Sequence, residues 1–213
     1  HPTKGRITPD EFIPLAEESG LIIDISNWVF NEVCANIKQW KAQNRQELQV
    51  SINTSPSHYF NLESNITQWL NLLLDQKISA RSILLEVTEN LLMEANEMVS
   101  KKLFQFRQAG VDIALDDFGT GYSSISYLKR FPTDFIKIDR SFVKSMTDVS
   151  NDKVLCEAII VMANKLGIKV VAEGVETQEQ YDILKSMGCD YAQGYFIAKP
   201  LSKSDFESFW ERH

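Results

Sequence analysis

Cysteine and histidine are scarce in this chain, and neither is clustered. Among 213 residues there are three cysteines (Cys34, Cys156 and Cys189) and three histidines (His1, His58 and His213), with no C-x-x-C pair. This argues against a thiolate or imidazole metal centre, and widely spaced cysteines suit a reducing compartment. Long apolar runs are also missing. The longest, around Ala158 to Ala163, falls far short of the roughly 18 residues a membrane span needs. No secretory signal pattern opens the chain. Basic residues are too few for a nucleic-acid polymer: 22 Lys and Arg stand against 29 Asp and Glu, a net charge of −7. An anionic substrate would then require bound cations to reverse the local field. No low-complexity tract or Gly/Ser linker interrupts the sequence, which reads as one domain over residues 1–213.

What is present is a rhythm of short apolar runs and amphipathic stretches. Thr8-Pro9-Asp10-Glu11 has the form of a capping box with proline at the first helical position. Pro14 predicts a break there, so a short turn followed by a helix ending near Gly20 is expected. Residues Ile25 to Ala42 have helical apolar spacing, with Trp28, Val29, Val33, Ile37 and Trp40 on one side. Strands are expected at about Leu48–Asn53, Ile83–Val87, Asp112–Asp116, Phe135–Ile138, Lys169–Glu173 and Tyr191–Phe196. Helices are expected between them at Glu63–Leu74, Met93–Ala109, Ser123–Lys129, Asp152–Lys165 and Gln178–Met187. Gly110, Gly167 and Gly188 mark helix ends. Strands alternating with helices imply an α/β fold with a parallel sheet and right-handed crossovers. Six units fit an open doubly wound sheet or an incomplete (β/α)8 barrel.

The polar residues favour the barrel. Asn53, Glu86, Asp116, Lys137, Glu173 and Gln193 each fall at or near the C-terminal end of a different expected strand, the rim on which barrel enzymes assemble their sites. By parity Lys137 opposes Ile136 and Ile138, and Asp116 opposes Ile113 and Leu115, which turns both polar residues inward. Each residue alone has a plainer reading. Glu86 could be a buried ion-pair partner, Asp116-Asp117 a cap and turn, and Asn53 an Asx turn. Lys137 could pair with Asp139, Glu173 could mark a strand end, and Gln193 could bind a loop. Together, several carboxylates at one apolar mouth would repel one another without cations. Carboxylates and amides select hard ions such as Mg²⁺ or Mn²⁺. Two such ions about 4 Å apart can serve phosphoester hydrolysis, and an inward lysine can stabilise the charge that develops.

Longer runs then resemble one family. These are Ile7-Thr8-Pro9, Phe12-Ile13-Pro14-Leu15-Ala16-Glu17, Leu85-Glu86-Val87-Thr88-Glu89, and Asp116-Asp117-Phe118-Gly119-Thr120-Gly121-Tyr122-Ser123-Ser124. Further on come Phe135-Ile136-Lys137-Ile138-Asp139, Val171-Ala172-Glu173-Gly174-Val175-Glu176-Thr177 and Gln193-Gly194-Tyr195. In order and spacing they resemble the EAL-domain cyclic di-GMP phosphodiesterases over essentially the whole chain. The resemblance implies a TIM-like (β/α)8 barrel that hydrolyses cyclic di-GMP to linear pGpG with Mg²⁺ or Mn²⁺, two ions. Carried over by position, Asn53, Glu86 and Asp116 would hold one metal, and Asp116 would bridge to a second beside Asp117. Lys137 and Glu173 would position or activate the attacking water. Glu89 would anchor the loop after the paired aspartates, and Asp139, Glu176 and Gln193 would support the same mouth.

The name-giving Glu-Ala-Leu strand and the strand before it are expected upstream of His1-Pro2. The chain therefore reads as the EAL domain truncated at its N-terminus, with the first two strands missing and the first metal site weakened. The family resemblance further implies a homodimer, upstream sensory or cyclase domains, and a bacterial cytoplasmic setting, with tethering to the inner membrane through upstream segments left open. No cyclase-type Gly-Gly-Asp-Glu-Phe motif occurs here. The alternative is a catalytically impaired EAL domain that acts as a cyclic di-GMP receptor or docks a partner.

Overall fold

The computed structural model describes residues 1–43, 48–60, 66–120, 128, 131, 133–146 and 151–212. Two helices open the chain, α1 (Pro9–Ser19) and α2 (Ile22–Ala42). Then follow β1 (Val50–Asn53), α3 (Pro56–Phe60), α4 (Ile66–Asp75), a 3₁₀ turn (Ala80–Ser82), β2 (Ile83–Thr88), α5 (Glu89–Met93), α6 (Glu97–Gln108) and β3 (Asp112–Phe118). After them come β4 (Phe135–Ile138), α7 (Arg140–Lys144), α8 (Asn151–Leu166), β5 (Lys169–Ala172), α9 (Gln178–Ser186), β6 (Tyr191–Ala192) and α10 (Lys203–Arg212).

The strands lie in one six-stranded sheet in the order β1-β2-β3-β4-β5-β6. A doubly wound sheet reverses its order at a switch point, whereas a (β/α)8 barrel adds each strand beside the last. The observed order is the barrel's. By compactness the chain divides into two units, His1–Leu115 with Ser124–Thr133, and Asp116–Ser123 with Asp134–His213.

In the first unit β1 and β2 pair in parallel, from Val50↔Ile83 to Asn53↔Glu86. Strand β2 is buried from Ile83 to Val87, as expected of a parallel strand covered on both faces. Phe30 stacks on Trp69 at 4.2 Å between ring centroids, and Phe106 closes against the same indole at 6.1 Å. In the second unit β4 pairs with β5 from Phe135↔Lys169 to Ile138↔Ala172, and β5 with β6 at Val171↔Tyr191 and Ala172↔Ala192. Helix α8 buries Cys156, Ile160 and Ala163. Burial pushes the Cys156 thiol up to about 12, helped by Asp152 and Cys189, and the Cys34 thiol up to about 11.

Several expectations are corrected. Pro14 does not break α1, which runs unbroken from Pro9 to Ser19. The proline removes one helical N–H, but the carbonyl it would have met belongs to exposed Asp10 and stays open to water. Thr8 is the N-cap of α1 but makes no side-chain cap bond; its carbonyl accepts from Glu11 N at 3.0 Å instead. Trp28 is 63% exposed, because the buried stripe of α2 is Ile22, Ser26, Phe30, Cys34 and Ile37. The helix expected over Met93–Ala109 starts later, at Glu97, where Asn96 caps α6 through Val99 N, and Met93 instead ends the short α5.

Strand β1 starts at Val50, and β5 stops at Ala172. The last strand shortens from Tyr191–Phe196 to Tyr191–Ala192 because the chain folds over Val175 at Gly194. Helix α4 begins at Ile66, so the start expected at Glu63 lies outside the described residues, as does Ser123–Lys129 except Leu128. The helix stops at Gly110, Gly167 and Gly188 are present, each with positive φ.

Candidate active site

In the second unit, three strand ends bring four charged side chains together. Strand β3 buries Ile113, Ala114 and Leu115 and then delivers Asp116 and Asp117. Lys137 sits inside β4, only 4% exposed. Glu173 follows the last residue of β5 and extends the ladder by one bond, its N–H donating to Ile138 O at 3.1 Å. Lys137 Nζ lies 2.6 Å from Glu173 Oε1 and 3.1 Å from Asp116 Oδ1. Oxygens of Asp116, Asp117 and Glu173 lie within 4.8 Å of one another.

Asp117 reaches this cluster through an unusual backbone. Its φ is +55°, the left-handed region that Asp tolerates better than most residues. Its carbonyl accepts from Thr120 N at 3.3 Å and from Thr120 Oγ1 at 2.9 Å, which holds the turn. Such strain collects where a side chain must be aimed against local preference.

The electrostatics favour a cation. Three carboxylates and one ammonium leave these four side chains with two negative charges in excess. Asp116 Oδ1 is buried and accepts no hydrogen bond of good geometry, so its contact with Lys137 is electrostatic. The Lys137 ammonium meets this oxygen at 3.1 Å, but one ammonium shared by Asp116 and Glu173 does not balance the three clustered carboxylates. The donors are all oxygen, the set that Mg²⁺ and Mn²⁺ prefer. The residues fit a divalent metal.

In the first unit, Asn53 and Glu86 are register partners at the ends of β1 and β2. Glu86 is 4% exposed and Asn53 is exposed. Neighbours in register on parallel strands present side chains to the same face, so the two form a pair. Glu89 is the first residue of α5 and is buried, a position where a carboxylate also suits the helix dipole. Glu89 thus has a plainer local role at the start of α5 than anchoring the loop after the paired aspartates.

The other expected residues are placed less centrally. Asp139 N-caps α7, accepting from Ser141 N at 2.9 Å and from the Ser141 hydroxyl. Lys137, by contrast, is ion-paired within the cluster. Glu176 and Gln193 are exposed. The backbone N–H of Glu176 binds Gln180 Oε1 at 2.8 Å, and Gln193 binds Ala172 O and Val175 N through its main chain.

Sequence reasoning missed that Glu173 stands among the possible metal ligands. It also missed a true capping box at Thr177 and Gln180, legible as T-x-x-Q, which fixes the chain just after Glu173. Gly174 lies in the Val171–Thr177 run. With φ +67°, its Cβ would lie 2.6 Å from Arg140 Cβ, so a glycine is required beside Glu173.

Comparison with known proteins identifies the family and the fold. The EAL domain model matches residues 1–200. The cyclic di-GMP phosphodiesterase NbdA of Pseudomonas aeruginosa is 38% identical over 209 residues, covering 98% of this chain and 27% of NbdA. The chain thus spans little more than a quarter of that relative's length. The solved PaMucR phosphodiesterase, in complex with c-di-GMP, superposes with a TM-score of 0.90 at 36% identity, covering 97% of this chain and 83% of that one. Klebsiella pneumoniae BlrP1, solved with manganese and cy-diGMP, gives a TM-score of 0.71 at 30% identity, covering 83% of this chain and 45% of BlrP1.

Proposed function

This chain belongs to the EAL domain family, and from that premise we propose that it hydrolyses cyclic di-GMP to linear pGpG with two Mg²⁺ or Mn²⁺ ions. The observation that carries the reading is the buried Lys137 set between Asp116 and Glu173, with Asp117 alongside. The functions named for NbdA and PaMucR point the same way.

Asp116, Asp117 and Glu173 offer oxygens to metal in one unit, and Asn53 and Glu86 offer theirs in the other. Bound metal would supply Lewis-acid polarisation of the phosphodiester and lower the pKa of water. The residues themselves do the following. Water oxygen forms the new bond to phosphorus and the P–O3′ bond breaks; the water gives up a proton to solvent and O3′ takes one up, which leaves the 5′-phosphate and free 3′-hydroxyl of pGpG. Glu173 accepts a hydrogen bond from that water and aligns it. Lys137 holds Glu173 in place and sets a fixed positive charge beside the phosphoryl oxygens as negative charge grows on them. Burial of Lys137 strengthens this effect, since little water screens it.

The same proposal includes a homodimer. Helix α8 leaves Val154, Leu155, Val161 and Leu166 exposed, more large apolar surface than a solvated helix needs. Upstream sensory or cyclase domains fit the greater length of the relatives. No described helix is long and apolar enough to cross a membrane.

The test is turnover of cyclic di-GMP by the purified protein with Mn²⁺, with and without excess chelator, followed by chromatography of pGpG. Metal-dependent appearance of pGpG supports the enzyme. Tight nucleotide binding without any product would favour the receptor reading instead.

A further inference from the structure

Two hydroxyl residues that no motif singles out hold the Asn53–Glu86 pair from behind. Thr54 follows Asn53 directly. Its backbone N–H donates to Glu86 O at 3.0 Å, and its Oγ1 donates to the same carbonyl at 2.8 Å. A carbonyl oxygen has two lone pairs, so Thr54 saturates this one. The Thr54 hydroxyl has a single hydrogen, already committed to Glu86. The 3.0 Å contact with the Tyr59 hydroxyl must therefore run from Tyr59 Oη to Thr54 Oγ1.

Tyr59 is 1% exposed and Thr54 6%, so neither bond competes with water. The start of α3, which carries Tyr59, is tied down too. Ser55 Oγ donates to Glu17 Oε1 of α1 at 2.8 Å and accepts from Ser57 N at 3.2 Å. The result is a directed relay from a buried phenol, through a hydroxyl, to the main chain of Glu86.

We infer that Thr54 and Tyr59 are positioning residues that fix the main chain of Glu86 beside Asn53 and thereby set the aim of both side chains. The inference rests on the proposed role of Asn53 and Glu86 as metal ligands. An ordinary parallel ladder would bind the Glu86 carbonyl once, through the Thr54 N–H. The second bond, and the phenol that orients it, are additional. They act where a small rotation of the main chain would swing a carboxylate oxygen away from its ligand position. Groups that orient ligands in this way raise metal affinity without touching the ion.

The experiment is a Mn²⁺ titration of the purified protein by calorimetry, with melting temperatures measured in parallel. Thr54→Val and Tyr59→Phe should each weaken the Mn²⁺ midpoint by about tenfold. Thr54→Ser, which keeps the hydroxyl, should stay within about twofold of wild type on the same reasoning. Glu86→Gln serves as the benchmark. If it weakens Mn²⁺ while Thr54→Val and Tyr59→Phe match wild type, the positioning role is wrong. If Glu86→Gln itself leaves the midpoint unchanged, the metal reading falls and takes this inference with it. If Thr54→Ser loses as much affinity as Thr54→Val, in step with melting temperature, the relay is only packing.

Discussion

Glu173 is the diagonal same-face neighbour of Lys137, two residues beyond its register partner Val171, and the two side chains close to 2.6 Å. A long lysine side chain bridges that diagonal easily, whereas a shorter one would stop at the strand. Lys137→Ala should therefore lower kcat by roughly 10²–10⁴-fold, the range for a positioned charge-stabilising group. It also leaves Asp116 and Glu173 facing each other without the ammonium. Steady-state kinetics beside thermal melts separate the two effects, and a loss of stability with kcat intact would reduce Lys137 to a structural ion pair.

Metal removal should abolish turnover, and Asp116→Asn should do the same with the fold retained. Asp116 is one of the three clustered carboxylates, and an amide there presents a weaker donor or an N–H. Circular dichroism of the variant, with product assay across a Mn²⁺ series, checks both halves. Full activity in excess chelator would end the metal account.

Glu89 touches the question of loop control. Buried at the first position of α5, it is more than a surface cap. Glu89→Ala is expected to shift the Mn²⁺ dependence of kcat/KM to higher concentration and to lower its maximum. An unchanged midpoint and maximum would leave Glu89 as a helix cap alone.

His58 gives a pH signature unrelated to catalysis. Burial, assisted by the Lys102 charge, pushes its imidazole down from 6.5 to about 4. The folded state therefore refuses a proton that the unfolded chain accepts below pH 6.5. This contribution to stability is full above about pH 6.5 and is lost as pH falls towards 4. The change amounts to about 3 kcal/mol by linkage. Calorimetric melts at pH 7.5 and 5 should diverge for wild type, and His58→Phe, which keeps the contact with Trp69 aromatic, should narrow the gap.

Gly194 should be intolerant of any side chain. A Cβ there would lie 2.2 Å from Val175 O and 2.3 Å from Val175 N, both main-chain atoms that cannot swing aside. Gly194→Ala should cost more than about 2 kcal/mol, the scale of forced overpacking. A denaturant midpoint equal to wild type would show that this close approach is not held in solution.

The strand pattern was readable because parallel strands covered on both faces leave dense apolar runs, such as Ile83 to Val87 and Phe135 to Ile138. Asp116, Lys137 and Glu173 were readable as charges that interrupt or end those runs. Other features depend on tertiary context. Trp28 and Phe30 are equally apolar, and only docking against Trp69 decides which turns inward. The left-handed turn at Asp117 leaves no mark in composition, since Asp suits many turns. Thr54 and Tyr59 are invisible for the same reason: a hydroxyl's partner is chosen by the fold, and here it lies 32 residues away.

The buried thiols carry a practical consequence. Cys34 lies in the first compact unit and Cys156 in the second, both at 0% exposure, with thiols that ionise only near pH 11 and 12. Neither can meet an alkylating reagent at neutral pH without an opening of the structure around it. Their labelling rates, read peptide by peptide in a mass spectrometer, are thus two native clocks, one for each unit. If the clocks run together across a denaturant series, the units open as one cooperative body. If Cys156 runs ahead of Cys34, the half bearing Lys137 and Glu173 can breathe by itself, and nucleotide or Mn²⁺ should slow that clock first.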